Sequence, residues 1–490
     1  MNRRDLLTRL GGIALAPLLT PELAHAAAQL EAGAASGVDW SLAFADLDAD
    51  HRTSAMKLIS GRCPEGLSGA LYRNGPGKFR RPGGDAGHWF DGDGLMRAFR
   101  LHDGQATLQA RFIDTPKRRA DIQAGAVVTG GFGTKSGPGS HPLSADDANA
   151  ANISVLPVGD KLWALWEAGS PTVIDPTDLS TEGLKTLRPD MAHMPFLAHP
   201  RREPGGDIWN LGMGTDSAVL WRLSADGELR SADIVALPRA SYVHDFTATD
   251  RHIVLLLQPL VMDKTVLPFI DGFSWKPDLG VQILVLDKAD ITQRRLYELP
   301  AFFAFHYGAA WEDADGTIRF DVCASPNPDF ATRGAREVLH GTWTPTEPTR
   351  LGLVTLAPGG RAKFEPTGVV AEFPRSDARF AGRARRYSVH ATADHAGPLF
   401  HGLSVHDWKT GAADSFDFGP SHMVEEAVFK PRDGTGDELD GWLLAPSVNL
   451  AAKATELHVF DAHHVADGPV CTWRADIALP VSLHGVFLAA

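Results

Sequence analysis

Short apolar runs, each bounded by turn residues, recur from about residue 68 to the C-terminus. Asp-Gly or Gly-Gly separates such runs at 103–104, 226–227, 315–316 and 359–360, and these dipeptides favour primed two-residue turns between antiparallel strands. A helical period is almost absent, and only residues 146–153 and 180–188 suggest short helical pieces. The pattern predicts an all-β fold. A β-propeller closes so long a meander without long exposed edges, while a large sandwich or two barrels are alternatives that the pattern alone leaves open.

Composition narrows the class of protein further. Hydrophobic residues make up 44% of the 490 residues and charged residues 22%, which is ordinary for a globular chain with a real core. The formal net charge is −13, whereas nucleic-acid binders normally carry a basic surface. We therefore predict no nucleic-acid partner.

The N-terminus has the features of an export signal. Arg3 and Arg4 precede an apolar stretch from Leu10 to Leu19, and the small-residue segment 24–27 follows. The apolar stretch is too short for a membrane span, which needs about 20 residues. We predict a Tat-type signal peptide over residues 1–27, a periplasmic location and a single domain over 28–490.

The three cysteines are Cys63, Cys323 and Cys471, without a CxxC motif. An odd count in an exported protein allows at most one disulfide. Buried free thiols are the simpler interpretation.

Four of the 20 histidines occupy comparable places in the sequence. They lie at the start or end of different apolar runs, about where a strand would meet a central axis: His199, His244, His306 and His484. No HExxH motif is present, and ligands drawn from distant strands leave no local signature. From the pattern alone, isolated surface or core histidines are the simpler interpretation.

One segment, Pro259–Pro277, departs from the strand rhythm because it is apolar and broken by prolines. It contains Phe269, Phe273 and Trp275. We interpret it either as the mouth of a tunnel for an apolar ligand or as a connection packed on the core. It is also the segment that we expect to make peripheral membrane contact.

Several motifs in order carry a resemblance to a known family. They are Tyr72-Arg73-Asn74-Gly75-Pro76, the run from His88 to Met96 (HWFDGDGLM), the four histidine contexts and Phe429-Lys430-Pro431-Arg432. From about residue 40 to the C-terminus, the sequence resembles the carotenoid cleavage oxygenase family.

The resemblance implies a seven-bladed β-propeller with a cap of loops and short helices, and one Fe(II) ion per chain. The implied iron ligands are His199, His244, His306 and His484. The implied partners of the last three are Glu167, Glu372 and Glu426 respectively. Imidazole suits Fe(II), and a carboxylate on the second ring nitrogen fixes the orientation of the ring. His88 and His193 are not expected to be ligands.

The resemblance also implies the reaction: O2 cleaves a conjugated C=C bond and leaves two carbonyl products. Relatives that cleave lignostilbenes place a lysine near the first glutamate, whereas this sequence has Trp166 beside Glu167. We therefore predict a carotenoid or apocarotenoid substrate, with the tunnel lined by Trp166, Phe269, Phe273 and Trp275. The alternatives are a stilbene-cleaving dioxygenase, a retinoid-type isomerohydrolase and a carrier that has lost iron. Ala310 and Ala427 depart from the family pattern.

Overall fold

Antiparallel strands provide almost all of the regular structure. The computed structural model describes residues 39–137, 142–394, 397–398 and 400–490, and Trp40–Ala490 form one compact unit. The described strands confirm the all-β prediction. The signal peptide predicted over residues 1–27 lies outside the described residues.

The described chain begins and ends in one ten-stranded sheet. Its N-terminal strands are β1 (His51–Gly61), β2 (Gly69–Lys78), β3 (Asp93–His102) and β4 (Gln105–Phe112).

Five four-stranded sheets follow in chain order, which is the arrangement of propeller blades. The first two contain β5 (Ser154–Val158), β6 (Lys161–Leu165), β7 (Thr172–Ile174) and β8 (Thr181–Leu184), then β9 (Arg201–Arg202), β10 (Ile208–Met213), β11 (Ser217–Leu223) and β12 (Leu229–Ala236). The third contains β13 (Thr247–Ala248), β14 (His252–Leu257), β17 (Val281–Asp287) and β18 (Arg294–Leu299), with the separate hairpin β15 (Leu260–Met262) and β16 (Phe273–Trp275) inserted after β14. The last two contain β19 (Trp311–Glu312), β20 (Ile318–Ala324), β21 (Arg350–Leu356) and β22 (Ala362–Val370), then β23 (Glu372–Arg375), β24 (Tyr387–Thr392), β25 (Gly402–Asp407) and β26 (Ala413–Asp417).

The C-terminal strands return to the ten-stranded sheet. They are β27 (His422–Val424), β28 (Val428–Pro431), β29 (Gly441–Asn449), β30 (Ala454–Asp461), β31 (Cys471–Arg474) and β32 (His484–Ala489). Strand β32 pairs with β2, so the last described strand lies beside one of the first.

The propeller is confirmed, but the predicted count of seven separate blades is wrong. Strand β1 is eleven residues long and pairs with β4 over His51–Met56 and with β31 over Lys57–Gly61. Because one strand serves both neighbours, the N-terminal and C-terminal strand groups form a single sheet. Over the described residues, the structure therefore has five four-stranded blades and one ten-stranded sheet, besides the β15–β16 hairpin.

A primed two-residue turn forms at only one of the four predicted sites. Asp103 and Gly104 both have positive φ, 49° and 73°, and form the predicted primed two-residue turn between β3 and β4. At the other three sites the glycine lies near the end of a longer loop, as between Leu223 and Leu229. Asp226 and Asp315 are not among the residues with positive φ, so a primed turn cannot form there.

Helices are short and few among the described residues. Helix α1 (Pro116–Ala124) begins after Thr115, whose side chain accepts from Arg118 N, and ends at Gly125; helix α2 is Ala335–Glu337. Single 3₁₀ turns and one π turn (Phe330–Gly334) complete the set: Trp40–Phe44, Trp89–Asp91, Ala145–Ala148, Pro189–Met191, Phe269–Gly272, Pro277–Leu279, Val338–His340, Ala378–Phe380 and Val465–Asp467. The helical piece suggested over 180–188 is wrong, because Thr181–Leu184 pairs with β7 as a strand.

In the described part of the chain, none of the helices is long and apolar enough to span a membrane.

The core lies between neighbouring sheets. On β14, Val254 and Leu256 pack towards Phe320 of the following sheet, whereas Leu255 packs towards Leu211 of the preceding one. Side chains alternate between the two faces of a strand, and both faces are covered here. This explains why β14 is a continuous apolar run rather than an alternating one.

Candidate metal centre

Four imidazole rings converge at the inner ends of four different sheets. His199, His244 and His306 lie in the loops that lead into β9, β13 and β19, and His484 is the first residue of β32. The Nε2–Nε2 distances are 3.0 Å from His199 to His244, 3.3 Å from His244 to His306 and 3.2 Å from His306 to His484. All four ligand atoms lie within 4.8 Å of one another. The structure thus brings together the four predicted ligands.

The second nitrogen of three of these rings is held by a carboxylate. His306 Nδ1 donates to Glu372 at 2.7 Å and His484 Nδ1 donates to Glu426 at 2.9 Å. His244 Nδ1 donates to Glu167, which follows β6. Each pairing is the one implied by the family resemblance. No carboxylate among the described residues contacts the ring of His199.

The carboxylates are themselves held in place. Glu426 also accepts from Arg73 Nη1 at 3.1 Å and from Gly485 N at 2.9 Å. Burial acts to raise the pKa of Glu426, but the nearby Arg375 and His484 hold that pKa well below its usual range. Glu426 is therefore a fixed anion beside His484.

Burial controls the charge of the rings. Burial lowers the pKa of His484 to about 3. Burial, reinforced by the three neighbouring rings, lowers the pKa of His199 well below its ordinary value. At His306 burial acts in the same direction, but the Glu372 carboxylate outweighs it and raises the pKa. His199 and His484 are thus neutral at pH 7, which is the form that binds metals.

These donors fit a metal ion. Three of the rings give their Nδ1 proton to a carboxylate, so each presents an Nε2 lone pair to the others. Lone pairs about 3 Å apart repel unless a cation lies between them. Two nitrogens each about 2.1 Å from one ion, as in zinc–histidine bonds, are about 3.0 Å apart at right angles. The three Nε2–Nε2 distances of 3.0, 3.3 and 3.2 Å lie close to that value.

A cavity of about 640 Å³ opens against this centre. Its wall includes three of the four histidines, His244, His306 and His484. Thirteen of the other lining residues are aromatic: Trp89, Phe90, Phe132, Trp166, Tyr242, Phe269, Phe273, Phe303, Phe305, Phe330, Trp343, Phe373 and Phe400. Apolar and aromatic walls with a few polar groups are typical of sites for small ligands.

The protein family described as retinal pigment epithelial membrane protein matches residues 44–489. The chain belongs to this family of carotenoid cleavage oxygenases. The family resemblance predicted from the motifs is confirmed.

Named relatives in the family are oxygenases. The chain is 29% identical over 455 residues to apocarotenoid-15,15'-oxygenase from Synechocystis, covering 87% of this chain and 91% of the relative. It is 27% identical over 470 residues to lignostilbene-alpha,beta-dioxygenase isozyme III from Sphingomonas paucimobilis, covering 87% of this chain and 92% of the relative. The chain is therefore an oxygenase, as predicted.

One solved structure that resembles this chain is of a metal-substituted relative. Cobalt-substituted apocarotenoid oxygenase from Synechocystis has a TM-score of 0.84 and 25% identity, and covers 92% of this chain and 98% of its own. Cobalt substitution implies a resident metal in that relative, and the four-histidine cluster is the corresponding feature of this chain. The family is metal-dependent.

The predicted tunnel residues separate into two groups. Trp166, Phe269 and Phe273 line the cavity of this oxygenase, whereas Trp275 is not among its lining residues. Trp275 pairs with Leu260 in the β15–β16 hairpin and packs behind the wall. Its place in the tunnel stays a prediction, since its side chain packs against the cluster that contains the lining residues Tyr242 and Phe303.

The two histidines set aside as ligands lie elsewhere. His88 is buried, caps the 3₁₀ turn Trp89–Asp91 and contacts the Ala331 carbonyl at 3.0 Å. His193 is more than half exposed and pairs with Asp146 at 2.8 Å.

Sequence reasoning did not assign three residues that support the centre. Arg73 is buried and contacts both Glu425 and Glu426; its place in the quoted Tyr72–Pro76 motif was a usable signal. Tyr242 donates its hydroxyl to Glu167 at 3.1 Å, and its position two residues before His244 was a second signal. Phe373 has a φ of 58° and packs against His306 with ring centroids 5.2 Å apart. No local pattern predicts that backbone conformation.

Proposed function

We propose that this oxygenase is a non-haem Fe(II) dioxygenase that cleaves one conjugated C=C bond of a carotenoid or apocarotenoid. The observation that carries the proposal is the convergence of four imidazole Nε2 atoms at the wall of an aromatic cavity. One Fe(II) ion per chain is the metal that we assign to the four histidines.

A ferrous ion bound there would supply O2 binding and electron transfer between O2 and the alkene. An imidazole that binds a metal through its Nε2 lone pair is in its neutral form and brings no charge of its own to the ion. Glu167, Glu372 and Glu426 fix three of the rings and place negative charge just behind them. The aromatic wall holds an apolar substrate and keeps water away from the reacting bond.

The proposed reaction is balanced without a further reductant. Both atoms of O2 add across one C=C bond, the bond between the two carbons breaks, and two C=O groups form. The alkene supplies the electrons that reduce O2, so neither a flavin nor a nicotinamide is required.

The wall favours a polyene as the substrate. Trp166, adjacent to Glu167, lines the cavity where the lignostilbene-cleaving relatives are expected to have a lysine. An indole cannot anchor a phenolate, but it offers a large apolar face. Burial of apolar area contributes about 25 cal/mol per Å², which suits a long hydrocarbon chain.

A stilbene is the second candidate substrate. One relative is named a lignostilbene dioxygenase, and the Tyr242 hydroxyl places a polar group at the cavity wall. Turnover of a hydroxystilbene without turnover of any polyene would select this alternative.

The experiment that tests the proposal is anaerobic quantitation of iron in the purified protein, followed by product analysis with apocarotenoids and stilbenes under 18O2. We expect one iron per chain and 18O in both carbonyl products. The matched variants are His306→Ala, which should lose iron and activity, and His193→Ala, which removes an exposed histidine and should keep both. Full iron and activity in His306→Ala would overturn the proposal.

Two further outcomes select other functions. Absence of 18O from the products would indicate an isomerohydrolase. Absence of bound iron together with retained binding of an apolar ligand would indicate a carrier.

Export and membrane contact belong to the same proposal. We infer that the Arg3-Arg4 signal directs the folded chain to the periplasm. The Pro259–Pro277 segment contributes Leu267, which is 46% exposed and lines the cavity. An apolar residue at such a mouth supports peripheral contact with the lipid phase into which a polyene partitions.

A further inference from the structure

Cys63 and Cys471 are far apart in the sequence but lie near each other beside β1. This strand joins the N-terminal and C-terminal groups of the ten-stranded sheet. Gly61, the last residue of β1, pairs with Cys471, the first residue of β31. Cys63 follows two residues later, and Arg62 N donates to Val470 O at 3.2 Å. Both cysteines pack in the same hydrophobic cluster of this sheet.

The surroundings of the two thiols differ. Cys471 is fully buried in the hydrophobic cluster of this sheet, and Cys63 packs against the same cluster but is partly exposed. Hydrogen bonding from Cys471 lowers the pKa of the Cys63 thiol, and the same contact, together with burial, raises the pKa of Cys471. Cys63 is thus the thiol that a small oxidant can reach and the better source of a thiolate.

We propose that Cys63 and Cys471 form a disulfide that fastens β1 to β31. The proposal is independent of the oxygenase function, because neither cysteine lines the cavity or contacts one of the four histidines in the described structure.

The oxidant that we assign is a small disulfide such as oxidised glutathione. The Cys63 thiolate attacks one sulfur of the oxidant, a mixed disulfide forms, and one glutathione leaves as a thiolate. The Cys471 thiol then loses its proton and attacks the Cys63 sulfur, and the second glutathione leaves. Two electrons pass from the protein thiols to the oxidant, and the two thiol protons are taken up by the departing glutathiones.

The position of the bond gives it a large effect on the unfolded chain. It would close a loop of more than 400 residues, and the loss of denatured-state entropy grows with the length of the closed loop. The same bond would join the N-terminal and C-terminal strand groups at their shared edge.

Cys323 provides the matched control. It is fully buried in β20, and burial raises its pKa well above the ordinary value for a thiol. It should remain reduced under conditions that oxidise the other two cysteines.

The test is incubation of the folded full-length protein with oxidised glutathione, followed by denaturation, alkylation and peptide mapping. We expect a cross-linked peptide containing Cys63 and Cys471, alkylation of Cys323 alone and a rise in Tm of about 5 °C. The Cys323→Ser variant should give the same cross-link and the same shift. Cys63→Ser and Cys471→Ser should give neither.

Two results would overturn the proposal. One is complete alkylation of all three cysteines after oxidation. The other is a stable glutathione adduct on Cys63 with Cys471 still free. Both readouts use the wild-type protein, so they do not depend on whether a cysteine variant folds.

Discussion

Glu426 lies 58 residues before His484 in the chain and accepts the hydrogen bond from its Nδ1 at 2.9 Å. The adjacent Glu425 instead accepts from Ser482 N at 2.9 Å. Two neighbouring glutamates, both buried, thus have separate tasks, one towards the metal centre and one towards the backbone.

This difference gives a first prediction. Glu426→Gln should weaken metal binding by about 10–100-fold, because the ring of His484 loses the carboxylate that orients it. Glu425→Gln should lower Tm but leave metal affinity unchanged. Metal titration of both variants tests this difference. An equal loss of metal affinity in the two would contradict the separate roles of Glu425 and Glu426.

Tyr242→Phe should weaken metal binding by about tenfold, the equivalent of about 1.4 kcal/mol. The substitution removes the hydroxyl that donates to Glu167 at 3.1 Å, and so loosens the carboxylate that holds His244. The measurement is metal affinity together with Tm.

The control for that variant is Tyr297→Phe, because the buried Tyr297 hydroxyl has no hydrogen-bond partner within the described atoms. Its removal should leave metal affinity unchanged and Tm unchanged or higher. Similar behaviour of the two variants would show that Tyr242 only fills space.

Buried histidines predict loss of stability in acid. Burial lowers the pKa of His390 to about 4, against about 6.5 in an unfolded chain. Between these values the unfolded state binds a proton that the folded state does not, so the free energy of unfolding falls as pH decreases. His390 alone should account for about 2 kcal/mol of the loss between pH 7 and pH 5.

Urea unfolding at the two pH values checks this expectation. His390→Leu should reduce the loss on acidification by about 2 kcal/mol. His102→Gln, at a side chain that is 82% exposed, should not alter it. An unchanged pH dependence in His390→Leu would show that another group carries the effect.

Leu267→Ser should reduce binding to liposomes severalfold. Leu267 is 46% exposed at the mouth of the cavity, whereas Ile234 is 66% exposed on β12 and is not a cavity residue. Co-sedimentation of Leu267→Ser and Ile234→Ser compares the loss of an exposed apolar side chain at the cavity with the loss of one away from it. If both variants bind as the wild type does, the membrane contact lies elsewhere or is absent.

Replacing Arg3 and Arg4 together by lysine should block export while keeping the positive charge of the segment. The Tat interpretation requires the twin arginine itself rather than a basic N-terminus. Fractionation of cells that express each form should find the variant in the cytoplasm. Continued appearance of the variant in the periplasm would refute a Tat signal.

The strand pattern was enough to predict the class of fold but not the grouping of the strands. The continuous run of β14 and the Asp103-Gly104 turn are local features, and the structure contains both as predicted. The pairing of β1 with β31 joins residues more than 400 positions apart, and no local period records such a partner. The count of seven blades came from the family resemblance, and it failed because β1 joins the N-terminal and C-terminal strand groups in one sheet.

Local sequence patterns were likewise not enough to predict the metal centre. Spacing alone did not separate His199 or His484 from the other histidines, because each ligand comes from a different sheet. The resemblance of whole motifs to the family did separate these ligands from the other histidines. The position of Trp275 likewise depends on the β15–β16 hairpin, in which it pairs with Leu260, fifteen residues earlier in the chain.

The place of His484 has a consequence for assembly of the metal centre. It opens β32, which pairs with β2 near the start of the described residues. Until these two strands pair, the folding chain can hold at most three of the four imidazoles in place. The fourth histidine therefore joins the centre only when two distant parts of the chain close into one sheet, and a change that prevents this pairing would displace a ligand together with the strand that positions it.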